Sequence, residues 1–339
     1  MRFTVFPNIL PPKVGRRNPY IQDYISAIEE ISGNEVVNSP HKNPLLSILS
    51  PKKWGNIFIF NWFENIPDFK YGLLQSVTAI VYLHVLKLSG AKIIWMLHNK
   101  LPHAKKKMWL KKKLMSLIAK KSDLIITHSL EGLDIVRNNY PYALNKSHYL
   151  DHPTKNRLAN IKEESLKSYD LLIWGNVAQY KGITEFIDYL VDNSITDISV
   201  CIIGRFSSEE LYNNVKEKVG YNVTVINDSP SFDELGEYIN SSYFVLAPYY
   251  PESVLSSGML MDSLSFGARV IGPNAGSFND YTKEKNIEVY TFDKYDDILS
   301  IVRENREPKV SLSSYNEFLN ERTWPKFIEK LMLLLKGNK

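Results

Sequence analysis

Short apolar runs alternate with segments of helical periodicity along most of this 339-residue chain, in two separate blocks. In the first block the runs at 3–6, 57–60, 93–97 and 124–127 predict buried strands, and helical patterns at 19–31, 73–88 and 108–119 lie between strands. Parallel strands are joined by such crossover helices, so the alternation predicts βαβ units on a parallel sheet. The predicted fold class is α/β.

A break near residues 151–154 separates the two blocks, and the polar stretch 155–169 that follows is typical of a linker. Strands are predicted again at 170–174, 198–203, 223–226, 244–247 and 269–272, and an amphipathic helix at 324–335. The length of the chain agrees with this division, because at roughly 150 residues per domain it suggests two domains. We predict two Rossmann-like domains facing across a cleft, residues 1–155 and 156–320, with helix 321–339 packing back toward the first.

The composition limits which kinds of site and which cellular location are expected. A single cysteine, Cys201, excludes an internal disulfide and a cysteine-based zinc site. The N-terminus has too few apolar residues for a signal peptide. The most apolar long run, 72–88, is interrupted by Gln75, His84 and Lys87, which predicts a buried core helix rather than a membrane span. We therefore expect a cytoplasmic protein.

The turn after the strand at 170–174 has the composition of an anion site. Gly175 and Asn176 end the strand, and Lys181 precedes the next helix. A glycine turn lets backbone N–H groups approach a phosphate, and a lysine adds charge. Arg205, at the end of the following strand, is placed to clamp a diphosphate. The alternatives are an ordinary turn with a solvated lysine and a surface arginine.

A second anion site is predicted where the strand at 244–247 leads into a helix. Ser256, Ser257 and Gly258 offer hydroxyls and backbone N–H groups without bulk, which suits a phosphate, although simple helix capping explains the serines equally well. Asp262 lies about one turn further on, where a carboxylate can accept hydrogen bonds from ribose hydroxyls.

The order of these pieces over residues 170–281 resembles the C-terminal half of GT-B glycosyltransferases, and most closely the large retaining (family 4-like) group of bacterial polysaccharide and lipopolysaccharide transferases. The resemblance implies that Lys181 and a helix N-terminus hold the donor diphosphate, that Asp262 binds the ribose and that Glu252 contacts the donor sugar. This chain departs from the pattern in three places. The second acid, Asp262, is an aspartate rather than a glutamate, and Asn176 stands where an arginine often precedes the Lys-Gly pair. Nine residues separate Glu252 from Asp262, two more than is usual in that group.

Polar and aromatic residues also follow two strands of the first block. His98 and Asn99 end the strand at 93–97, and the resemblance implies that His98 lies near the transferred sugar; a half-buried structural histidine is the alternative. Trp62 could stack on an acceptor sugar, and Glu64 could act as a base if the enzyme inverts configuration. Edge packing would explain both residues equally well.

Basic residues are concentrated in two segments of the first block. Gly15 and Arg16 belong to a basic loop that relatives place near the donor phosphates and the acceptor. The overall charge is only +4, but residues 100–121 hold nine lysines and no acidic residue, so the rest of the chain sums to 4 − 9 = −5. The segment 102–121 also carries an apolar stripe and predicts an interfacial helix on an anionic membrane; a core helix with a solvated basic face is the alternative. The residues assigned to that membrane contact are Lys105, Lys106, Lys107, Trp109, Lys111, Lys112 and Lys113.

The resemblance, together with these residues, implies a glycosyltransferase, specifically a hexosyltransferase, of bacterial surface-polysaccharide synthesis. The donor is expected to be a nucleoside-diphosphate sugar, most readily UDP- or GDP-linked, and the acceptor a saccharide or a polyprenyl-linked sugar. Helix N–H groups and fixed cations would stabilise the leaving diphosphate, so we expect no metal and no further cofactor. The protein is expected on the inner face of the membrane, and the lysine-rich segment lacks the arginines typical of nucleic-acid binding. The alternative is a non-catalytic, membrane-associated module that binds a sugar nucleotide.

Overall fold

The computed structural model of this chain describes residues 1–10, 19–100, 107–161 and 166–337, in two compact units. The first unit comprises Met1–His152 and Trp324–Lys339, and the second comprises Pro153–Thr323. Each contains a six-stranded sheet in which every pair of neighbouring strands is parallel. The predicted α/β class with two parallel sheets is therefore confirmed.

The first unit alternates strands and helices, as predicted. Its strands run in the order β2-β1-β3-β4-β5-β6. They are β1 (Arg2–Phe6), β2 (Glu35–Val36), β3 (Ile57–Asn61), β4 (Lys92–Leu97), β5 (Leu124–Thr127) and β6 (Ser147–Tyr149). The helices are α1 (Tyr20–Glu29), α2 (Leu46–Leu49), α3 (Gly72–Leu88), α4 (Met108–Lys121) and α5 (Leu130–Asn139).

The second unit repeats the architecture with the strand order β12-β11-β10-β7-β8-β9. Its strands are β7 (Tyr169–Trp174), β8 (Val200–Ile203), β9 (Val223–Ile226), β10 (Ser242–Leu246), β11 (Val270–Pro273) and β12 (Val289–Phe292). The helices are α6 (Ile183–Asp192), α7 (Glu209–Lys218), α8 (Phe232–Asn240), α9 (Gly258–Leu264), α10 (Gly276–Tyr281), α11 (Tyr295–Glu304) and α12 (Leu312–Glu321). The order reverses direction beside β7, and ligands of open α/β sheets bind at the carboxyl ends of strands near such a point.

The two faces of the first sheet are covered by different helices. Alternate residues of a strand point to opposite faces. Ile57 and Ile59 pack in one core with α1 and with the last helix, α13 (Trp324–Gly337). Phe58 points the other way and lies against Tyr82 of α3, with ring centroids 6.2 Å apart. Helices α3 and α4 pack side by side on this second face.

Two predictions about α3 and α4 are corrected by their burial. α3 is not a buried core helix, because only one side of it faces the sheet and the other side is exposed. The apolar stripe of α4 packs into the unit instead of facing outward: Leu110, Leu114 and Ile118 are all buried. The alternative interpretation of α4, a core helix with a basic outer face, is the one that the structure supports.

Within the described residues, no helix combines the length and the apolar character that crossing a bilayer requires.

Candidate functional site

Two glycines bring the ends of β7 and β8 into direct backbone contact. Gly175 follows β7 with a φ of +99°, and its N–H donates to the carbonyl of Ile203 at 3.0 Å. Gly204 follows β8, and a Cβ placed on it would lie 1.7 Å from the carbonyl oxygen of Gly175. Only glycine fits such an approach. Asn176 and Arg205 are exposed at this same edge of the sheet.

The turn that carries Lys181 is fixed against the chain leaving β10. Gly182 begins α6 in the left-handed region, with a φ of +67°, and a Cβ there would lie 2.1 Å from the carbonyl oxygen of Pro248. Lys181 is half-buried, and its Nζ lies 5.2 Å from the ring centroid of Tyr249. The structure thus brings two regions that were predicted separately, the β7–α6 turn and the segment after β10, to one edge of the sheet.

Asp262 on α9 is held by an arginine that the sequence did not single out. Nη1 of Arg157 lies 3.4 Å from Oδ1 of Asp262 and donates to Oγ of Ser265 at 2.8 Å. The guanidinium also packs on the ring of Phe232, 4.1 Å from its centroid. Both members of the pair are largely buried, so the orientation of Asp262 on α9 is fixed.

The serines before α9 divide into different roles. Ser257 is the N-cap, and its Oγ accepts a hydrogen bond from the N–H of Leu260 at 3.2 Å. Capping, the alternative noted for these serines, therefore occupies the Ser257 hydroxyl. Ser256 is half-buried, and Gly258 is exposed with open space around its Cα. Glu252 is exposed in a short turn before this segment.

A cavity of about 460 Å³ opens in the second unit beside α8. Its walls combine the last residues of β8 and β9 with acidic and aromatic side chains. They are Tyr169, Ile203, Ile226, Asp228, Pro230, Glu234, Glu237, Tyr238 and Ser241. Side-chain patterns in the sequence did not reveal this cavity, because its lining comes from four separate segments.

In the first unit, His98 is buried and uncharged. Its Nε2 lies 2.8 Å from Oδ1 of Asn61, whose own amide nitrogen donates to the carbonyl of Phe6 at 3.1 Å. Because the Asn61 oxygen can only accept, Nε2 of His98 carries the proton in this contact. Burial, together with nearby His152, lowers the pKa of His98 to about 3. The ring stacks on Trp62, with centroids 4.6 Å apart.

A second histidine stands beside His98. Nε2 of His128 lies 2.9 Å from the hydroxyl of Tyr20, and its Nδ1 lies 2.9 Å from the carbonyl oxygen of Leu150. Nδ1–H donates a hydrogen bond to the carbonyl oxygen, so Nε2 accepts a hydrogen bond from the tyrosine hydroxyl. Burial, and then the neighbouring His98, lowers the pKa of His128 to about 3. No pattern in the sequence pointed to His128.

Glu64 and Asn99 form a buried pair. Nδ2 of Asn99 donates to Oε1 of Glu64 at 3.0 Å. Burial raises the pKa of Glu64, while Asn99 and the charge of Lys111 oppose that shift. Glu64 is 2% exposed, so in this structure its carboxylate holds Asn99 rather than facing a ligand.

The prediction that Lys111 contacts a membrane is wrong. Its side chain is fully buried, and Nζ pairs with Oδ2 of Asp68 at 2.5 Å. A buried, ion-paired lysine cannot reach a lipid surface. Trp109, Lys112 and Lys113 are exposed, and Lys107 is exposed while its Nζ donates to the carbonyl of Pro67. Gly15, Arg16, Lys105 and Lys106 lie outside the described residues.

In the described ranges, no group of three or more histidine, cysteine, aspartate or glutamate side chains is arranged to hold a metal ion.

Comparison with known proteins identifies the fold. Neither a protein-family model nor a curated protein matches the sequence. Among solved structures, the chain is similar to Anabaena HepE in complex with UDP, with 10% identity, a TM-score of 0.67 and 99% of each chain covered. It is also similar to a glycosyltransferase from Rickettsia africae, with 12% identity, a TM-score of 0.60, and 99% of this chain and 98% of the other covered.

A third similar structure is a mutant of S. aureus TarM in complex with fondaparinux, alpha-GlcNAc-glycerol and UDP. The identity is 12% and the TM-score 0.58; the match covers 82% of this chain, which spans only 55% of TarM. The neighbours are GT-B glycosyltransferases, so the chain has the GT-B fold, as the sequence resemblance implied.

Proposed function

We propose that this protein is a glycosyltransferase that moves a sugar from a nucleoside-diphosphate sugar to a saccharide or lipid-linked acceptor. The observation that carries the proposal is the fixed edge of the second sheet. There Lys181 is held by the Gly182 contact with Pro248, and Asp262 is oriented by Arg157. The GT-B structures of HepE and TarM have UDP bound, which makes a uridine nucleotide the first candidate.

Each group in the second unit has a role that its chemistry suits. Lys181 and Arg205 supply positive charge for the diphosphate, which leaves as a dianion or trianion and needs stabilisation as the glycosidic bond breaks. Asp262 accepts hydrogen bonds from ribose hydroxyls, and its orientation is set before the donor arrives. Gly175, Asn176, Ser256 and Gly258 are assigned to the donor site with it; of these, Asn176 and Gly258 are exposed. With fixed cations in place, we propose that transfer does not require a metal.

We assign the acceptor to the first unit. Trp62 offers a ring for sugar stacking, and buried, neutral His98 stacks on that ring and supports it without adding a charge. Glu64 is proposed as a positioning residue for Asn99 rather than as a base. A membrane-linked acceptor would require the protein to be peripheral on the membrane, and the surface suited to that is described in the next subsection.

Melting temperatures measured with UDP-, GDP-, ADP- and dTDP-linked sugars, with and without EDTA, test the donor assignment. We expect one nucleotide series to stabilise the protein, and the stabilisation to persist in EDTA. Lys181→Ala should remove most of it. Lys216→Ala is the matched control, because its Nζ also lies over a tyrosine, 5.4 Å from the ring centroid of Tyr212, on the outer surface of α7. Failure of every sugar nucleotide to stabilise the protein contradicts the proposal.

A non-catalytic sugar-nucleotide module is the second candidate, and the spacing of Glu252 favours it. The residue at the family's usual distance before Asp262 is Val254, which is buried and apolar, so the usual acidic contact to the donor sugar is missing from that position. Release of free nucleotide from the stabilising donor, with and without saccharide acceptors, separates the two. Binding without any release supports the module.

A further inference from the structure

The outward side of α3 is apolar along its whole length. Leu73, Leu74, Val77, Val81, Val85 and Leu88 recur at steps of one, three or four residues and lie on one side of the helix. They are between 40% and 89% exposed, whereas Ala79, Tyr82, Leu83 and Leu86 on the opposite side pack inward. His84 is the one exposed polar side chain of α3, and Thr78 and Lys87 are half-buried.

Such a surface is unusual for a helix on a sheet. Helices in that position normally present polar residues to solvent, and a contiguous exposed apolar stripe marks an interaction site. Single exposed leucines need no explanation, but six aliphatic side chains along about four and a half turns do. The sequence shows only that α3 is apolar overall; the structure shows that, among the described residues, these six side chains are exposed rather than packed into the core.

The neighbouring helix supplies the charge. α4 packs beside α3, and its outward face carries Trp109, Lys112, Lys113 and Lys120, all exposed. Tyr71 is also exposed, at the start of α3, with Nζ of Lys70 5.2 Å from its ring centroid. The N-terminal ends of both helices lie against Pro67 of the short Phe63–Asp68 helix. A Cβ on Gly72, the first residue of α3, would meet the Pro67 carbonyl oxygen, and Nζ of Lys107, just before α4, donates to it. The aromatic residues therefore flank the same end of the stripe. We call these outward surfaces together the α3–α4 face.

The charge of the α3–α4 face has one sign. Residues 69–122, which include both helices, contain no aspartate or glutamate. The nearest acid before them, Asp68, is paired with buried Lys111. A second copy of this chain would bring lysines against lysines, and a neutral partner would leave them unmatched. An anionic lipid surface complements both features, since acyl chains accept the aliphatic stripe and phosphates accept the lysines.

We propose that the α3–α4 face docks on the surface of an anionic bilayer. The aliphatic side chains of α3 enter the boundary between headgroups and acyl chains. Trp109 and Tyr71 lie at headgroup level, where amphipathic aromatic rings are enriched, and the exposed lysines of α4 contact lipid phosphates. This assigns the apolar contact to α3 instead of α4. Docking does not involve the donor site. The docking proposal can therefore be wrong while the proposed transferase activity is right, and the activity can be absent while docking occurs.

Flotation of the full-length protein with vesicles tests the proposal. We expect binding to phosphatidylglycerol-containing vesicles and much weaker binding to pure phosphatidylcholine. Val77→Asp with Val81→Asp should weaken binding by about tenfold or more, because charged side chains replace apolar ones in the lipid boundary. Lys112→Glu with Lys113→Glu should weaken it comparably at low salt. Leu333→Asp, an exposed leucine of α13 on the other side of the sheet, is the matched control.

A gentler variant tests the same contact without adding a charge. Val81→Cys carrying an environment-sensitive fluorophore should show a blue shift with anionic vesicles, and the equivalent label at Leu333→Cys should not. The native Cys201 is buried and will not compete for the label. Donor stabilisation, measured in parallel, should be the same in all variants.

Three results would overturn the proposal. The first is parent protein that does not float with anionic vesicles. The second is a Val77→Asp, Val81→Asp variant that floats as well as the parent, or a Val81 label that does not respond. The third is a parent that sediments as a dimer and becomes monomeric in the double aspartate variant, which would make the α3–α4 face a contact between copies.

Discussion

Arg157 and Asp262 are 105 residues apart in the sequence and 3.4 Å apart in the structure. The arginine comes from the polar segment before β7, and the aspartate from α9. The guanidinium also contacts the rings of Phe232 and Phe266, with centroid distances of 4.1 and 5.6 Å. A cation held on two sides in this way can fix the orientation of the carboxylate that we assign to the donor ribose.

Replacing Arg157 should therefore weaken donor binding through Asp262. We expect Arg157→Gln to lower affinity for the stabilising sugar nucleotide by about tenfold, equivalent to about 1.4 kcal/mol. In an Asp262→Asn background the same change should have little further effect, because coupled residues are not additive. Isothermal titration of the four proteins measures this.

Arg303→Gln is the control for that cycle, since its guanidinium pairs with an exposed carboxylate, Asp197, which precedes β8 and so lies away from the carboxyl ends of the strands. Equal, additive losses from Arg157→Gln and Asp262→Asn would show that the arginine does not act through the aspartate.

Gly182→Ala should destabilise the second unit by more than backbone strain alone explains. A left-handed φ costs a residue with a Cβ about 1–2 kcal/mol, and here the Cβ would also meet the Pro248 carbonyl oxygen at 2.1 Å. Gly175→Ala separates the two effects, because Gly175 has a φ of +99° but open space around it. Denaturant unfolding should give the larger loss for Gly182→Ala, with loss of donor stabilisation. Equal losses would argue that the turn does not press on Pro248.

The neutral histidines make stability depend on pH. Burial, and then nearby charge, lowers the pKa of His98 and of His128 to about 3. Below the usual histidine pKa of about 6.5, the unfolded chain binds protons that the folded one does not, so stability is full above that pH and falls as the pH is lowered toward 3. Each buried histidine contributes a slope of up to about 1.4 kcal/mol per pH unit.

We expect His128→Gln to flatten the dependence of the melting temperature on pH between about 6.5 and 4.5. The comparison is with the parent over the same range, so that carboxylate titration is common to both. His84→Gln, on the exposed side of α3, is the control and should leave the slope unchanged. A slope in His128→Gln as steep as in the parent would mean that His128 is not kept neutral by the fold.

The strands that the sequence predicted are those whose burial agrees with local composition. β4 and β5 have buried apolar side chains at nearly every position, and their ends fall within a residue of the prediction. β6 was not predicted, because Ser147–Tyr149 is a half-buried edge strand of three residues with no apolar run. α5 was missed because it buries only Gly132 and Val136, which is too short a stripe to show helical periodicity.

Prediction of the candidate site was also limited to residues that a local sequence pattern distinguishes. Lys181 and Asp262 were predicted because their types and spacing follow a strand and a turn along the chain. Arg157 was not, since nothing local distinguishes an arginine in a polar segment from a solvated one. The position of α3 was misjudged for the converse reason: an apolar helix can be buried on all sides or exposed on one, and composition is identical in the two cases.

Lys111 is one of three consecutive lysines, which the sequence does not distinguish but the structure does. Its side chain is fully buried against Asp68, which is one-third exposed, whereas Lys112 and Lys113 face solvent.

Removing one member of a buried ion pair leaves the other uncompensated and typically costs about 3 kcal/mol or more. Because Asp68 keeps some contact with water, we expect Lys111→Ala to lower the free energy of unfolding by about 2–3 kcal/mol. Lys112→Ala should change it by less than about 0.5 kcal/mol, as surface substitutions do. Denaturant unfolding of the two variants and of Lys113→Ala measures the difference, and three equal, small effects would place the Lys111 side chain in solvent.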